Sequence, residues 1–337
     1  MAGAAEYAYA PENRNTHTPK PGTRHMRQLI ERLKNKSVHT EKLAIVRFLL
    51  GLSMLLTLLF NDMSVVANHN YTHLKRYRAK HNEQVYAPFK KTDVFMMMSP
   101  EKAKVVVIII LLCVMSGFVP QITGVLHVWV CFSMHNYFLI LNGGDQIALL
   151  LSVLLLPICL TDPRLNQWRR PVPGPSRTNI FANVAMFAIQ VQAAIVYLDG
   201  GVSKLFVKEW QEGTAVYYFT SHYRLGAPGW LRSINELLTL TPFVAVLTWG
   251  ILAMEILLFA CLFASAKVKR VFLVIALAFH FLIVINFGLI TFFFAMAALL
   301  LLYLDDDNIS VKWLHRIFSR RKRIIYTDQP PMTHSLN

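Results

Sequence analysis

The chain has 337 residues, of which 55% are hydrophobic and only 16% charged, with a mean hydropathy of +0.41 and a formal net charge of +15. A soluble protein of this length carries more charge, and the apolar residues here are gathered into long blocks, so the composition excludes the soluble classes and points to an all-α integral membrane protein built as one bundle. The basic residues sit in tails and loops that flank the apolar blocks, a pattern that fits anionic lipid headgroups and membrane topology and excludes a nucleic-acid partner.

In chain order, residues 1–42 form a polar tail with eight Lys or Arg, and its last part, Met26 to Lys42, suits a basic helix on the membrane surface. A first span is predicted over Leu43 to Phe60, followed by a polar loop, 61–103, that holds His69, His73 and His81. Spans two and three are predicted over Lys104 to Val119 and Val125 to Leu141, with Pro120 to Gly124 as the turn between them. Asn142-Gly143-Gly144-Asp145 is a second turn signal, and span four runs from Gln146 to Leu160. The segment from Asp162 to Arg177 has four prolines and four arginines and reads as an extended loop. Span five covers Asn179 to Val202, a polar aromatic loop covers 203–240, and span six covers Thr241 to Ser265, ahead of a basic stop at Lys267, Lys269 and Arg270.

The last apolar block, Val271 to Leu304, has a length of about 34 residues and would rise about 51 Å as one helix, against a hydrocarbon core of about 30 Å. Two spans reversing at Asn286-Phe287-Gly288 suit it better. That gives about eight transmembrane helices over 43–304, a basic tail over 305–337 and both termini in the cytoplasm of a plasma-membrane protein. One side then receives the basic residues of the amino tail, the 162–177 loop, the 267–270 stop and the carboxyl tail, as the positive-inside rule asks. The loops 61–103 and 203–240 fall on the outer face.

Polar groups inside spans are costly and are functional candidates by default. Gln190, Tyr197 and Lys204 are spaced by sevens, which puts them on one stripe of span five if the helix continues through Gly200-Gly201. Gln192 is on the same span. Glu255 lies midway along span six and must be paired, protonated or in a wet cavity. His280 and Asn286 lie in the last block, and His127 and His135 in span three. The four cysteines, Cys113, Cys131, Cys159 and Cys261, lie in apolar blocks without metal or redox spacing and suit packing. No metal site is expected, because the histidine and carboxylate spacings of metal motifs are absent from the sequence.

Several segments carry a resemblance. GGDQIALLLSVLLLPICLTDPRLNQW at 143–168, QVQAAIVYLDGGVSKLFVKEWQEGTAVYYF at 190–219, Glu255 in span six and FHFLIVINFGL at 279–289 resemble the HTTM domain, the membrane domain related to vitamin K-dependent gamma-carboxylase. LLFND at 58–62, GGDQIA at 143–148 and KEWQEGTAVYYF at 208–219 are most similar to the sporulation-delaying protein B type within it. The resemblance implies catalytic roles for Lys204, which falls on the carboxylase base, and for His280, with Glu255 nearby. It leaves His135, Asp145, Gln192, Tyr197, Trp210 and Asn286 to bind or shape the site. It implies maturation of a secreted antimicrobial or toxin peptide precursor after export, with a small partner subunit. The alternative it implies is a membrane enzyme that uses a vitamin K-type quinone with Lys204 as base. The chain has no counterpart of the large lumenal region of the carboxylase, so a shared fold is the firmer expectation and a shared reaction the weaker.

Overall fold

The computed structural model describes residues 21–66, 92–138, 141–170, 174–222, 226–240 and 242–316. Most of the 61–103 loop, with His69, His73 and His81, and the Arg320 to Arg323 run lie outside the described residues. The helices in order are α1 Pro21–Asn35, α2 Lys42–Phe60, α3 Met63–Val66, α4 Val94–Met97, α5 Pro100–Ser116, α6 Pro120–Tyr137, α7 Gly143–Leu160, α8 Thr178–Lys204, α9 Lys208–Gln211, α10 Ala215–Ser221, α11 Gly229–Thr239, α12 Phe243–Ala260, α13 Ala266–Phe287 and α14 Ile290–Leu304. A 3-10 turn, Cys261–Phe263, prolongs α12, and 309–316 is again helical. Among the described residues the β-pairing is a single bridge between Phe118 and Asn166.

The protein is an all-α membrane protein. Five helices, α2, α7, α8, α12 with its turn, and α13, are long and apolar enough to cross a membrane, and α14 is a shorter apolar helix. The centre of the bundle is α14. All its residues from Ala295 to Leu304 are buried, and it packs on α2, α7, α8 and α13. The outer helices leave large apolar side chains uncovered, among them Phe181 and Phe187 on α8, Trp249 on α12 and Val274 and Phe281 on α13. In water such a surface costs about 25 cal/mol per Å², whereas hydrocarbon leaves it unpenalised, so these faces are where lipid belongs.

Several local expectations change. Pro120 to Gly124 is not a turn. The chain reverses at Gly117–Val119, with Gly117 left-handed, and Pro120 begins α6 as an N1 proline whose missing N–H costs nothing there. Asn142 to Asp145 is likewise a helix start. The Asn142 side chain accepts from the backbone of Gly144 and Asp145, and Asp145 answers by accepting from the Asn142 N–H at 2.9 Å, a capping box. Lys267, Lys269 and Arg270 are the first turn of α13 and not a separate stop. The last apolar block does break after Phe287, at Gly288 with φ +69°, where a side chain would be strained. The two helices fold back as a hairpin, since Lys269 at the start of α13 pairs with Asp306 beyond the end of α14 at 2.9 Å.

One end of the bundle gathers the basic segments. Asn179 and Asn183 at the start of α8 donate to the carbonyls of Lys34 and Lys36, each at 2.7 Å, and so clasp the end of α1. Lys42 donates to the Asp305 carbonyl at 2.7 Å, His315 pairs with Glu41, and the His39 ring lies 3.2 Å from the Thr161 hydroxyl. At the same end Arg164 grips Asp162 through Nε to Oδ1 at 2.9 Å and Nη2 to Oδ2 at 2.8 Å, with both side chains buried. Burial alone pushes the Asp162 carboxyl up, but the hydrogen bonds and charge of Arg164, with help from Gln167, outweigh it and hold it below the usual carboxylate range.

A depressed carboxylate contributes stability that is present above its unfolded pKa of about 4 and is lost as pH falls through the lower folded value. Asp162→Asn strands a buried guanidinium and is expected to destabilise the protein by about 3–5 kcal/mol. Thermal unfolding of both proteins in detergent checks this, and the gap between them should be widest at neutral pH, start to narrow as pH falls below about 4 and close only through the lower folded value.

Candidate functional site

At the far end of α8 from the α1 clasp, Lys204 ends the helix. A helical side chain leans toward the N-terminus of its helix, and the Lys204 ammonium does so, donating to the Gly200 carbonyl at 2.9 Å. Its other two donors go to Glu255 on α12, at 2.8 Å to Oε1 and 2.7 Å to Oε2. The three N–H bonds of the ammonium are thus all engaged. The side chains of Lys204 and Glu255 are 23% and 13% exposed, so the pair is set at the rim of the bundle and not sealed within it.

Gly200 and Gly201 make this meeting possible. The helix runs straight through them, and they serve as the place where α12 comes closest. A Cβ on Gly201 would stand 3.2 Å from Cγ1 of Ile256, and one on Gly200 would stand 3.6 Å from Oε1 of Glu255. Small residues at such a crossing let two membrane helices approach closely.

Three aromatic groups complete the surroundings. Trp210, on α9, lays its ring 5.2 Å from the Lys204 nitrogen, a cation–π distance. It is itself held by Trp249 of α12, whose indole N–H donates to the Trp210 carbonyl at 3.1 Å. The loop after α8 therefore folds over the ion pair as a cover. Tyr197, two turns before Lys204 on the same stripe, is buried, and its hydroxyl has no hydrogen-bond partner among the described residues. Its ring meets His280 edge-on at 6.5 Å. His280 places Nδ1 2.7 Å from the Ala276 carbonyl. A carbonyl can only accept, so Nδ1 carries the proton and Nε2 of the neutral ring keeps a lone pair.

The structure thus brings Lys204, Glu255, Trp210, Tyr197 and His280 into one neighbourhood, and Asp145 borders it through Phe292, which packs on Gly144 and lies 5.7 Å from the His280 ring. Asp145 belongs to the capping box of α7, which sits against the start of α14, where Asn142 donates to the Thr291 hydroxyl at 3.2 Å. Asn286 accepts from Asn235 at 2.9 Å and ties α11 to the end of α13. His135 lies half-buried in the last turn of α6. Gln192 is half-buried on α8, and five residues from Tyr197 put it roughly 140° around the helix from the site stripe.

Sequence reasoning passed over a second polar cluster, at the α1 end. Arg47, in the first span, donates through its two terminal nitrogens to Gln167 and to Thr123, each at 2.8 Å, and Gln167 passes on to Asp162 at 3.1 Å. The available signal is an arginine alone in an apolar run, which must have partners in the fold. Among the described residues no group of three His, Cys, Asp or Glu side chains is placed to hold a metal ion.

Lys204 and Glu255 make a closed pair, and the expected energetics follow. Lys204→Met or Glu255→Gln alone should each destabilise by about 2–4 kcal/mol, because each leaves a partner half-buried and unmatched. The double variant should recover much of that loss. A double-mutant cycle read by thermal unfolding checks it, with a coupling of about 1–3 kcal/mol expected and strict additivity ruling the pairing out.

Comparison with known proteins bears on the family. The chain is 36% identical over 303 residues to the uncharacterized protein YitO of Bacillus subtilis strain 168, a match that covers 88% of this chain and 96% of YitO. It is 32% identical over 285 residues to the sporulation-delaying protein SdpB of the same strain, covering 82% of this chain and 85% of SdpB. No family model matches the chain, and no solved structure matches it. Identity at this level over most of both chains places the protein in the family of the sporulation-delaying protein SdpB.

Proposed function

We propose that the protein is a plasma-membrane component that matures a secreted antimicrobial or toxin peptide of the sporulation-delaying type after its export, acting with a small partner subunit. The observation that carries this reading is the 32% identity to SdpB across 82% of this chain. The arrangement of the bundle supports it. The eight helices α2, α5, α6, α7, α8, α12, α13 and α14 are read as eight spans in an HTTM-type bundle. The described part of the amino tail, the 162–170 stretch, the start of α13 and 305–316 meet at one end, and on the positive-inside rule that end, with both termini, is read as cytoplasmic. The Lys204–Glu255 pair and its Trp210 cover then face the outer side, where an exported peptide arrives.

In a strain that makes such a peptide, deletion of the gene is expected to abolish the active peptide while the secreted precursor remains. Mass spectrometry of the culture medium with a killing assay measures both, and unchanged active peptide in the deletion strain sinks the reading.

A second reading is a quinone-dependent membrane enzyme with Lys204 as base, and the buried, unpartnered Tyr197 hydroxyl favours it. The Tyr197 hydroxyl could donate to a quinone carbonyl and the Nε2 of His280 could accept from a quinol hydroxyl, so these two residues would hold a quinone–quinol cofactor, which when bound would supply the redox chemistry, once the packing over the Tyr197 hydroxyl opens. Lys204 as an ammonium has no lone pair, so its part as a base begins by handing a proton to Glu255, 2.7 Å away. On this reading the purified protein carries an extractable quinone, and Lys204→Ala loses all activity at normal expression. No quinone together with a fully active Lys204→Ala removes it.

A further inference from the structure

The helix α11, Gly229–Thr239, presents three faces. At about 100° per residue, Leu231, Asn235 and Thr239 lie on the side turned to the bundle. Leu231 and Thr239 are buried there, and Asn235 donates to Asn286 at 2.9 Å. Arg232, Ser233 and Glu236 make a second face, polar and exposed. Trp230, Ile234 and Leu237 fall within about 60° of one another on the third side, where they are 71%, 52% and 72% exposed. An apolar stripe left open beside a polar face is the pattern of a helix that lies in a membrane interface.

The height of α11 is set at two points. Asn235 is tied to Asn286 in the last turn of α13, at the opposite end of that helix from the Lys269–Asp306 pair. Shortly after Thr239 the chain enters α12 at Phe243. With its turn α12 has 21 residues, and α13 has 22. They rise about 32 and 33 Å, against a hydrocarbon core of about 30 Å, so the ends that α11 meets are where these spans leave the hydrocarbon. The spans are uncovered at that level too, through Phe243 and Val246 at the start of α12 and Phe281 and Leu282 near the end of α13. The stripe on α11 continues this lipid-facing surface. A second protein chain seated on the stripe would have to cover those span ends as well, at a level that lipid already occupies.

We infer that α11 is an interfacial helix bound to the lipid surface at the Lys204 end of the bundle. Trp230, Ile234 and Leu237 enter the acyl chains of that leaflet, and Arg232 and Glu236 stay among headgroups and water. The polar face carries one charge of each sign, so burial of the apolar stripe and not lipid charge holds the helix down. It packs on α10, which follows the α9 segment that carries Trp210. The lipid-bound helix therefore restrains the far end of the cover over the Lys204–Glu255 pair. The inference stands apart from the peptide-maturation reading, since it needs neither an exported peptide nor the assignment of this end to the outer phase.

The test uses the full chain in phosphatidylcholine nanodiscs. Cys113, which is exposed while the other cysteines are buried, is changed to Ser, and a nitroxide is attached at one introduced cysteine. Ile234→Cys and Leu237→Cys report on the apolar stripe, and Arg232→Cys and Glu236→Cys on the polar face. Two positions on each face keep the comparison if one variant fails to fold. Oxygen, which concentrates in hydrocarbon, should relax the labels at 234 and 237 more strongly than a water-soluble nickel chelate does, and the order should reverse at 232 and 236. Stripe labels as open to the nickel chelate as those on the polar face overturn the proposal. So do stripe labels closed to both reagents, which is the result expected of a second protein chain, or another part of this one, seated on the stripe.

Discussion

A charge inside an apolar bundle has to be matched there, because lipid offers it no solvation. That constraint orders this structure more than any packing preference does. Two sets of ionic groups stand toward opposite ends, Lys204 with Glu255 at one and Arg47, Asp162 and Arg164 at the other. Between them α14 is buried and apolar from Ala295 to Leu302. Its first buried polar atom toward the basic end is the Tyr303 hydroxyl, which donates to the Leu258 carbonyl at 2.8 Å. The apolar centre needs no direction of its own, and the polar ends set which helices meet and at what height.

The helix α8 links the two ends and gives a scale for them. Its 27 residues rise about 40 Å, longer than a hydrocarbon core of about 30 Å. Asn179 and Asn183 hold the end of α1, a surface helix whose Met26 and Leu29 are uncovered. Measured from there, the hydrocarbon ends about twenty residues later, within a turn of Gly200. The ammonium of Lys204, bent back to the Gly200 carbonyl, lies at that boundary. A lysine there can reach water by snorkelling, yet this one turns inward to Glu255. The inward turn is what marks it as more than a topological anchor.

Most of the fold was legible in the sequence because long apolar runs have few alternatives to a helix. The boundaries moved where one signal serves two purposes. Pro120 reads as a turn from its chemistry and is a helix start by its position, since the first turn of a helix has no use for its N–H. Asn142 to Asp145 has turn composition, and the same side chains make a capping box. The site was legible by halves. Glu255 announces that it needs a partner, but that the partner is Lys204, 51 residues away, follows from the crossing of α8 and α12, which no local pattern encodes. Asp145, read as part of a turn and given a site-shaping role by the resemblance, caps the start of α7, and Asn286 ties α11 to the end of α13. Arg47 was passed over, although its partner Gln167, and the Asp162 to which Gln167 donates, lie in the DPRLNQW segment that carried part of the family resemblance.

The cover over the pair decides what Lys204 can do. With Glu255 and Gly200 filling its donors and the Trp210 ring 5.2 Å away, the lysine is saturated in this arrangement. A group that reacts or binds there must either displace Trp210 or take a proton that has first moved within the pair. Trp210 is held to α12 by the Trp249 N–H that its carbonyl accepts, and it packs against Phe219 of α10 at 6.1 Å. The Glu255 contact, by contrast, is a two-point charged bond of the strong kind. The segment that carries Trp210 is tied to α12 again beyond it, where Gly213 lies against Ala245 and Trp249 and the Val216 N–H donates to the Thr248 hydroxyl at 3.3 Å, so the cover and the ion pair are both anchored on α12. The segment after Lys204 is short helices and aromatic side chains and not a continuation of α8. A straight continuation would leave the pair uncovered, whereas the turn at 205–207 carries Trp210 back over it.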